Sequence, residues 1–369
     1  MVLLKNGTIY QNNKFITDDI LVENGLIKAI GNINTNAQTI DLKGAKIIPG
    51  LIDIHIHGSV GIDVMDANPE GLNKIARFLA EKGTTSFLAT TITSNHENLI
   101  KALESINEAN NKNVVGVHIE GPYINKDKRG CHDPMFIRNP NINEYDNVKE
   151  VFQGLIHYTI APELAGAIDF IEKITNDGTT VSIGHSNANM EITKLGLNAG
   201  ANIFTHLFNA MSPIHHRDPN VSGTALLSDA FTELICDGIH VNKEIIKLIY
   251  KLKGRDKIIL VTDAMQACGL GDGSYHFGGF DITVKDGVAR KDDGTLASST
   301  LTMFEALQNM MEFANLTLEE AIDMATINPA KAIKIDKEYG SIDIGKHADL
   351  LILDENENIK AVINKGEFI

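Results

Sequence analysis

Through the middle of the chain, apolar runs of strand length, rich in β-branched residues, alternate with amphipathic stretches. The runs are Ile47–His57, Thr84–Thr91, Val114–Glu120, Leu155–Ala161, Thr180–His185, Asn202–Phe208, Phe231–His240 and Lys257–Asp263. Their near-continuous apolarity predicts parallel strands buried on both faces. Between them, Pro69–Lys82, Asn95–Asn110, Leu164–Asn176, Met190–Ala199 and Lys243–Lys253 carry helical periodicity and often end in or just before Gly or Asn. Eight such units in about 280 residues fit a (β/α)8 TIM barrel better than a doubly wound sheet. That barrel is expected over residues 49–338.

The two chain ends read differently. Ile20–Glu23 and Leu26–Ile30 flank Asn24-Gly25, a hairpin signal because both turn residues tolerate positive φ. Near the other end, Ala348–Leu353 and Ile359–Ile363 are strand-like and Asn364-Lys365-Gly366 marks a turn. Few-stranded sheets are marginal alone, so residues 1–48 and 339–369 are expected to pair into one small β-sandwich. A last β-rich stretch near 269–297, with turns at Gly278-Gly279, Asp286-Gly287 and Asp293-Gly294, predicts a β-hairpin insertion at the barrel rim. A water-excluding flap and a decorative excursion are both open for it.

Bulk properties narrow the partners. The chain has 369 residues, of which 43% are hydrophobic and 22% charged, an ordinary globular composition. Its net charge of −15 argues against nucleic acid or an anionic membrane as the main partner. No apolar run approaches the roughly 18 residues of a spanning helix, and the start is unlike a signal peptide. The 3 cysteines, Cys131, Cys236 and Cys268, form no Cys-x-x-Cys pair and suit a reducing cytoplasm. An anionic substrate would need a local cationic pocket, and His215-His216-Arg217 is read as the only tight cationic cluster in the barrel loops.

Candidate chemistry gathers at the strand ends. By strand period, Asp53, His55 and His57 share one face and Ile52, Ile54 and Ile56 the other. A lone His-x-His is as compatible with hydrogen-bonded or solvated rings as with metal. However, the third predicted strand ends in Glu120, the fifth in His185, the sixth in His206, the seventh in His240 and the eighth in Asp263. A barrel places its chemistry at the carboxyl ends of its strands, and imidazole with carboxylate suits Zn or Fe. The pattern therefore predicts a divalent metal site. His118 faces the same side as Glu120 but is read as an interior hydrogen-bonder.

With these residues in place, the chain resembles the metal-dependent amidohydrolase superfamily, and within it the branch that deacetylates phosphorylated amino sugars. The resemblance rests on His118-Ile-Glu-Gly-Pro-Tyr123, Gly130-Cys-His-Asp-Pro134, Gly184-His-Ser-Asn-Ala188, Thr205-His-Leu-Phe-Asn-Ala-Met211, Asp237-Gly-Ile-His-Val241 and Val261-Thr-Asp-Ala264. Ala325–Lys331 and Gly345–Asp349 are shared more widely across the superfamily. The resemblance implies hydrolysis of N-acetylglucosamine 6-phosphate to glucosamine 6-phosphate and acetate, in amino-sugar catabolism.

Residue by residue, it implies Glu120, His185 and His206 as metal ligands. Where some members have Gln-x-Asn and one ion, His55 and His57 make a second ion plausible, with Glu120 bridging. Asp263 would be the acid/base and His132 would help polarise the carbonyl. Arg217 and His240 would hold phosphate, one or both across a homodimer interface. Cys131, Asn209, Ala210, Leu296, Ala297 and Ser298 would contact the sugar. The individual roles of His215 and His216 stay open, as does one ion or two. Two rival readings also stand: another amidohydrolase, a deaminase or cyclic-amide hydrolase, and a non-catalytic barrel scaffold.

Overall fold

The computed structural model describes residues 1–369. Eight parallel strands follow one another in chain order around a barrel: Leu51–Ile56, Thr84–Thr91, Val114–Glu120, Leu155–Ile160, Thr180–Ile183, Ile203–Phe204, Phe231–Ile235 and Ile258–Val261. The first and eighth strands close it through Asp263 N–H to His55 O (2.8 Å) and His57 N–H to Ala264 O (2.9 Å). Asp53 reinforces that seam, its carboxylate accepting from the Thr262 hydroxyl at 2.6 Å. The strands are buried along nearly their whole length, as the apolar runs predict.

One helix of the outer ring follows each strand: Pro69–Glu81, His96–Ala109, Ile142–Val151, Ala167–Asn176, Met190–Asn198, Asn220–Leu227, Lys243–Lys253 and Met303–Ala314. Pro69–Glu81 shows why they form. Asn68 caps it by accepting from Gly71 N–H, Pro69 sits in the first turn, and Leu72, Ile75, Ala76 and Leu79 turn one face to the strands.

Several strands are shorter than the apolar runs. The run Ile47–His57 divides at Pro49-Gly50. Lys46–Pro49 pairs with Leu350–Leu353 in the end sheet, and only Leu51–Ile56 enters the barrel. The sixth strand shrinks to Ile203–Phe204, and the seventh stops at Ile235, leaving His240 in a loop rather than at a strand end. There the Asp237 carboxylate accepts from Ile239 N–H and His240 N–H and turns the chain.

Both chain ends join one eight-stranded hydrogen-bonded sheet that branches at Val2–Gln11. That strand pairs in parallel with Gln38–Asp41 along its first part and with Lys46–Pro49 along its second, and its antiparallel pairing with Lys14–Glu23 shifts register between Leu4 and Gly7. The branching gives two layers around their own core, which includes Leu4, Ile9, Ile20, Ile47, Leu350 and Ile363. The insertion is not a simple hairpin. It is a three-stranded antiparallel meander, Gly273–Phe277, Phe280–Lys285 and Val288–Lys291. Phe277, Ile282, Val284 and Ala289 pack it onto Ile92, Cys131 and Met265, so it is seated on the barrel rim. No helix is long and apolar enough to cross a membrane.

Candidate active site

At the carboxyl end of the barrel, Glu120 is the hub of a buried cluster. Its Oε1 lies 3.0 Å from His185 Nε2, 3.1 Å from His206 Nε2 and 3.4 Å from His55 Nε2. Its Oε2 lies 3.3 Å from His57 Nε2 and 3.2 Å from His132 Nε2. Asp263 closes the ring, with Oδ1 3.3 Å from His57 Nε2 and 3.7 Å from His55 Nε2. All seven residues are buried.

The chain reaches this geometry by leaving regular strand. His185, His206 and Asp263 each lie one or two residues past a strand and adopt left-handed backbone, with φ of 47°, 30° and 47°. Such conformations cost about 1–3 kcal/mol for residues with a side chain and persist where surrounding contacts impose them. Here those contacts turn side chains from separate strands onto one point.

The donor set fits a divalent ion. Two triplets of donor atoms converge, His55/His57/Glu120 and Glu120/His185/His206, sharing Glu120. His185 Nδ1 donates to the Lys128 carbonyl at 2.7 Å, so in the neutral ring Nε2 keeps its lone pair. That lone pair meets His206 Nε2 at 3.0 Å. Ligand atoms about 2.0–2.1 Å from a shared tetrahedral centre stand ~3.3 Å apart, close to the spacing seen here. His55 Nε2 is buried without a hydrogen-bond partner, an expense that a cation removes.

The electrostatics point the same way. Burial pushes Glu120 up, but the imidazoles facing it, His55 foremost, outweigh it and hold its carboxyl well below the usual range. Burial pushes Asp263 up too, yet His55 and His57 hold it down at about 2. Burial lowers His57, but Asp263 and Glu120 outweigh it and raise it to about 9. The centre calls for positive charge. His132 differs: burial, with His185 beside it, lowers it to about 4, so it is neutral. Its Nδ1 lies 2.6 Å from Thr93 Oγ1 and 3.4 Å from Thr93 N, and the Glu120 carboxylate 3.2 Å from Nε2 calls for the proton there, a hydrogen-bond donor rather than a lone pair.

Residues 47–369 match the amidohydrolase family. The chain belongs to it. Among curated relatives, it is 40% identical to the N-acetylglucosamine-6-phosphate deacetylase of Bacillus subtilis (strain 168), over 87% of this chain and 83% of that one. It is 35% identical to the N-acetylgalactosamine-6-phosphate deacetylase of Escherichia coli O157:H7, over 94% and 93%. The crystal structure of N-acetylglucosamine-6-phosphate deacetylase from Pasteurella multocida superimposes with a TM-score of 0.95 at 33% identity, covering 100% of this chain and 99% of that one.

A cavity of about 380 Å³ opens over the amidohydrolase cluster. His57, Glu120, His132, His185, His206 and Asp263 form its floor, and Cys131, Asn209, Ala210, His240, Leu296 and Ser298 line its walls. Asp237 accepts the His240 Nδ1–H at 2.6 Å and orients that ring. Ala297 lies instead in the buried core beneath the insertion. Arg217 is also elsewhere, on an exposed turn with its Nη1 2.8 Å from His216 Nε2.

Two cavity-wall cations were missed by reading the sequence, Lys128 and Arg290. Lys128 had a signal, because Lys126, Lys128 and Arg129 form a second cationic cluster beyond the third strand. Arg290 had none, since the three-stranded meander alone carries it to the rim. His118 stays out of the donor set, its Nε2 paired with Thr159 Oγ1 at 2.7 Å.

Proposed function

We propose that this protein hydrolyses N-acetylglucosamine 6-phosphate to glucosamine 6-phosphate and acetate. The observation that carries this reading is the Glu120-centred donor set with Asp263 at its edge, opening into one cavity. The end-to-end likeness to sugar-phosphate deacetylases selects the substrate. Glu120, His185 and His206 would hold one divalent ion, Zn or Fe, and His55, His57 and Glu120 a second. Such an ion supplies Lewis-acid polarisation of a carbonyl and a nucleophile generated from water at neutral pH.

The protein's own groups supply the rest. Asp263, held as carboxylate, takes a proton from the attacking water, whose oxygen bonds to the acetyl carbon. Ser298 Oγ donates to Asp263 Oδ1 at 3.1 Å and keeps that carboxylate aimed. As the C–N bond breaks, Asp263 passes the proton to the sugar nitrogen, because an unprotonated amine leaves poorly. His132, with its proton on Nε2, donates toward the developing oxyanion. His240 takes the phosphate end, and Arg217, exposed on its own chain, completes that site from the partner in a homodimer. A phosphorylated substrate and three free, buried cysteines suit a cytoplasmic setting.

The test is acetate release by purified protein from N-acetylglucosamine 6-phosphate, N-acetylgalactosamine 6-phosphate and unphosphorylated N-acetylglucosamine. Each is assayed before and after chelation and after adding back Zn²⁺ or Fe²⁺. Fastest turnover of the first substrate, abolished by chelation and restored by metal, is the expected result. Preference for the galactose epimer corrects the substrate, and no acetate from any of the three overturns the reading.

A further inference from the structure

Glu233, on the seventh barrel strand, is fully buried inside the barrel and takes no part in the chemistry above. A carboxylate so far from water is costly unless its hydrogen bonds repay the cost. Its Oε2 accepts from His55 Nδ1 at 3.0 Å and from His206 N–H at 3.1 Å, while Oε1 has no partner. Both bonds end on residues of the donor set. One holds an imidazole; the other holds the backbone of a residue strained at φ 30°.

The consequence for His55 follows from valence. A carboxylate accepts only, so the bond to Glu233 keeps the proton on Nδ1 and leaves the Nε2 lone pair facing Glu120 and Asp263. The other rings around Glu120 are held differently. His185 is oriented by a main-chain carbonyl, and Nδ1 of His57 and of His206 has no partner. Without Glu233, His55 would keep ring contacts to His118 at 4.5 Å, His57 at 5.3 Å and His206 at 5.4 Å, which select no tautomer, while Glu120 and Asp263 beside Nε2 would draw the proton to that nitrogen instead.

We propose that Glu233 is a positioning residue that makes His55 a ligand, so that this buried carboxylate sets whether the His55–His57 side of the cluster holds an ion. The inference rests on the two-ion reading above. It predicts a selective effect: loss of Glu233 empties the His55–His57 side and spares the ion held by Glu120, His185 and His206.

The experiment counts zinc per subunit in purified apo protein re-equilibrated with Zn²⁺, for wild type, Glu233→Ala and Glu233→Gln. Wild type should hold two ions. Glu233→Ala should hold one tightly, with the second weakened roughly 10–100-fold, the range for lost partners of metal-bound histidine. Glu233→Gln should keep two, because an amide oxygen can accept both bonds. In a His55→Ala background, Glu233→Ala should change the count no further.

Two tight ions in Glu233→Ala, loss of both ions, or a Gln variant that behaves like Ala would each overturn the proposal. Nitrogen-15 spectra of histidine-labelled, zinc-loaded wild type decide the matter even if Glu233→Ala does not fold: the proton must sit on His55 Nδ1 and the metal on Nε2. A wild type that saturates with one ion removes the two-ion premise and with it this proposal. Acetate release still tests the deacetylase reading separately.

Discussion

At the scale of single residues, the site is built by groups whose surroundings separate their roles. Asp263 and Glu120 are both buried carboxylates, yet Glu120 touches four imidazole Nε2 atoms besides His132, and Asp263 sits at the edge beside Ser298. With Asp263 as the acid/base proposed above, Asp263→Asn should lower kcat by roughly 10²–10⁴ while the metal content stays constant. Near-normal turnover would sink that role. Cys131 lines the cavity, but burial pushes its thiol up to about 12, and its Sγ donates to Leu296 O at 3.3 Å. At pH 8 only about one part in ten thousand is thiolate. Iodoacetamide should thus leave it unmodified over hours, and Cys131→Ala should retain turnover; rapid alkylation at pH 8 would show the thiol to be activated. His55, His57, Glu120, His185, His206 and Asp263 were legible as chemistry because their types recur where barrel strands end. Glu233 and Thr93 were not, because each matters only through a partner far away in sequence, 178 residues in the pair Glu233–His55 and 39 in Thr93–His132.

At the scale of elements, regular strand stops two residues short of His185, His206 and Asp263. A reading by apolar runs overextends every barrel strand but the second and third, because the residues beyond them are as apolar or as compact as the strands themselves. The switch at Gly50 shows a second limit. Pro49 and Gly50 interrupt no hydrophobic pattern, yet the chain changes sheets there. A Cβ on Gly50 would overlap Thr85 Oγ1 and stand 2.9 Å from Thr85 Cβ. Gly50→Ala should destabilise the protein by about 1–3 kcal/mol, the cost of forcing atoms into a packed core. Urea unfolding checks this, and an unchanged midpoint would mean that Thr85 yields freely. The meander follows the same logic: its turns were legible from Gly and Asp, but its third strand came from pairing with Phe280–Lys285.

At the scale of the molecule, the end sheet and the barrel share packing. Tyr10, Leu351, Leu353 and Val362 of the end sheet belong to the barrel's own apolar core. Tyr10 Oη donates to Asp323 Oδ1 at 2.9 Å, and Arg255 Nη2 reaches Asp323 Oδ2 at 2.6 Å and Tyr10 Oη at 2.8 Å. Asn364 Nδ2 donates to Thr85 O across the same boundary at 3.2 Å. Calorimetry should show one unfolding transition for both parts, and two resolved transitions would contradict the coupling. Tyr10→Phe should cost about 1–3 kcal/mol, because it leaves a buried Asp323 oxygen without its hydroxyl; wild-type stability in that variant would place the coupling elsewhere.

Local covalent character determined much of this protein from its sequence. Alternating apolar strands and amphipathic helices specify a barrel because each element must bury its own face, whatever its neighbours turn out to be. The imidazoles and carboxylates were visible for a similar reason, since their chemistry belongs to the side chain. Distance was left to the tertiary structure. Barrel closure brings His55 against Glu233, the left-handed turns at His185, His206 and Asp263 set which atoms meet, and the rim meander delivers Arg290 to the cavity. These relations depend on how remote segments pack, and residue types along a single chain do not encode them one position at a time.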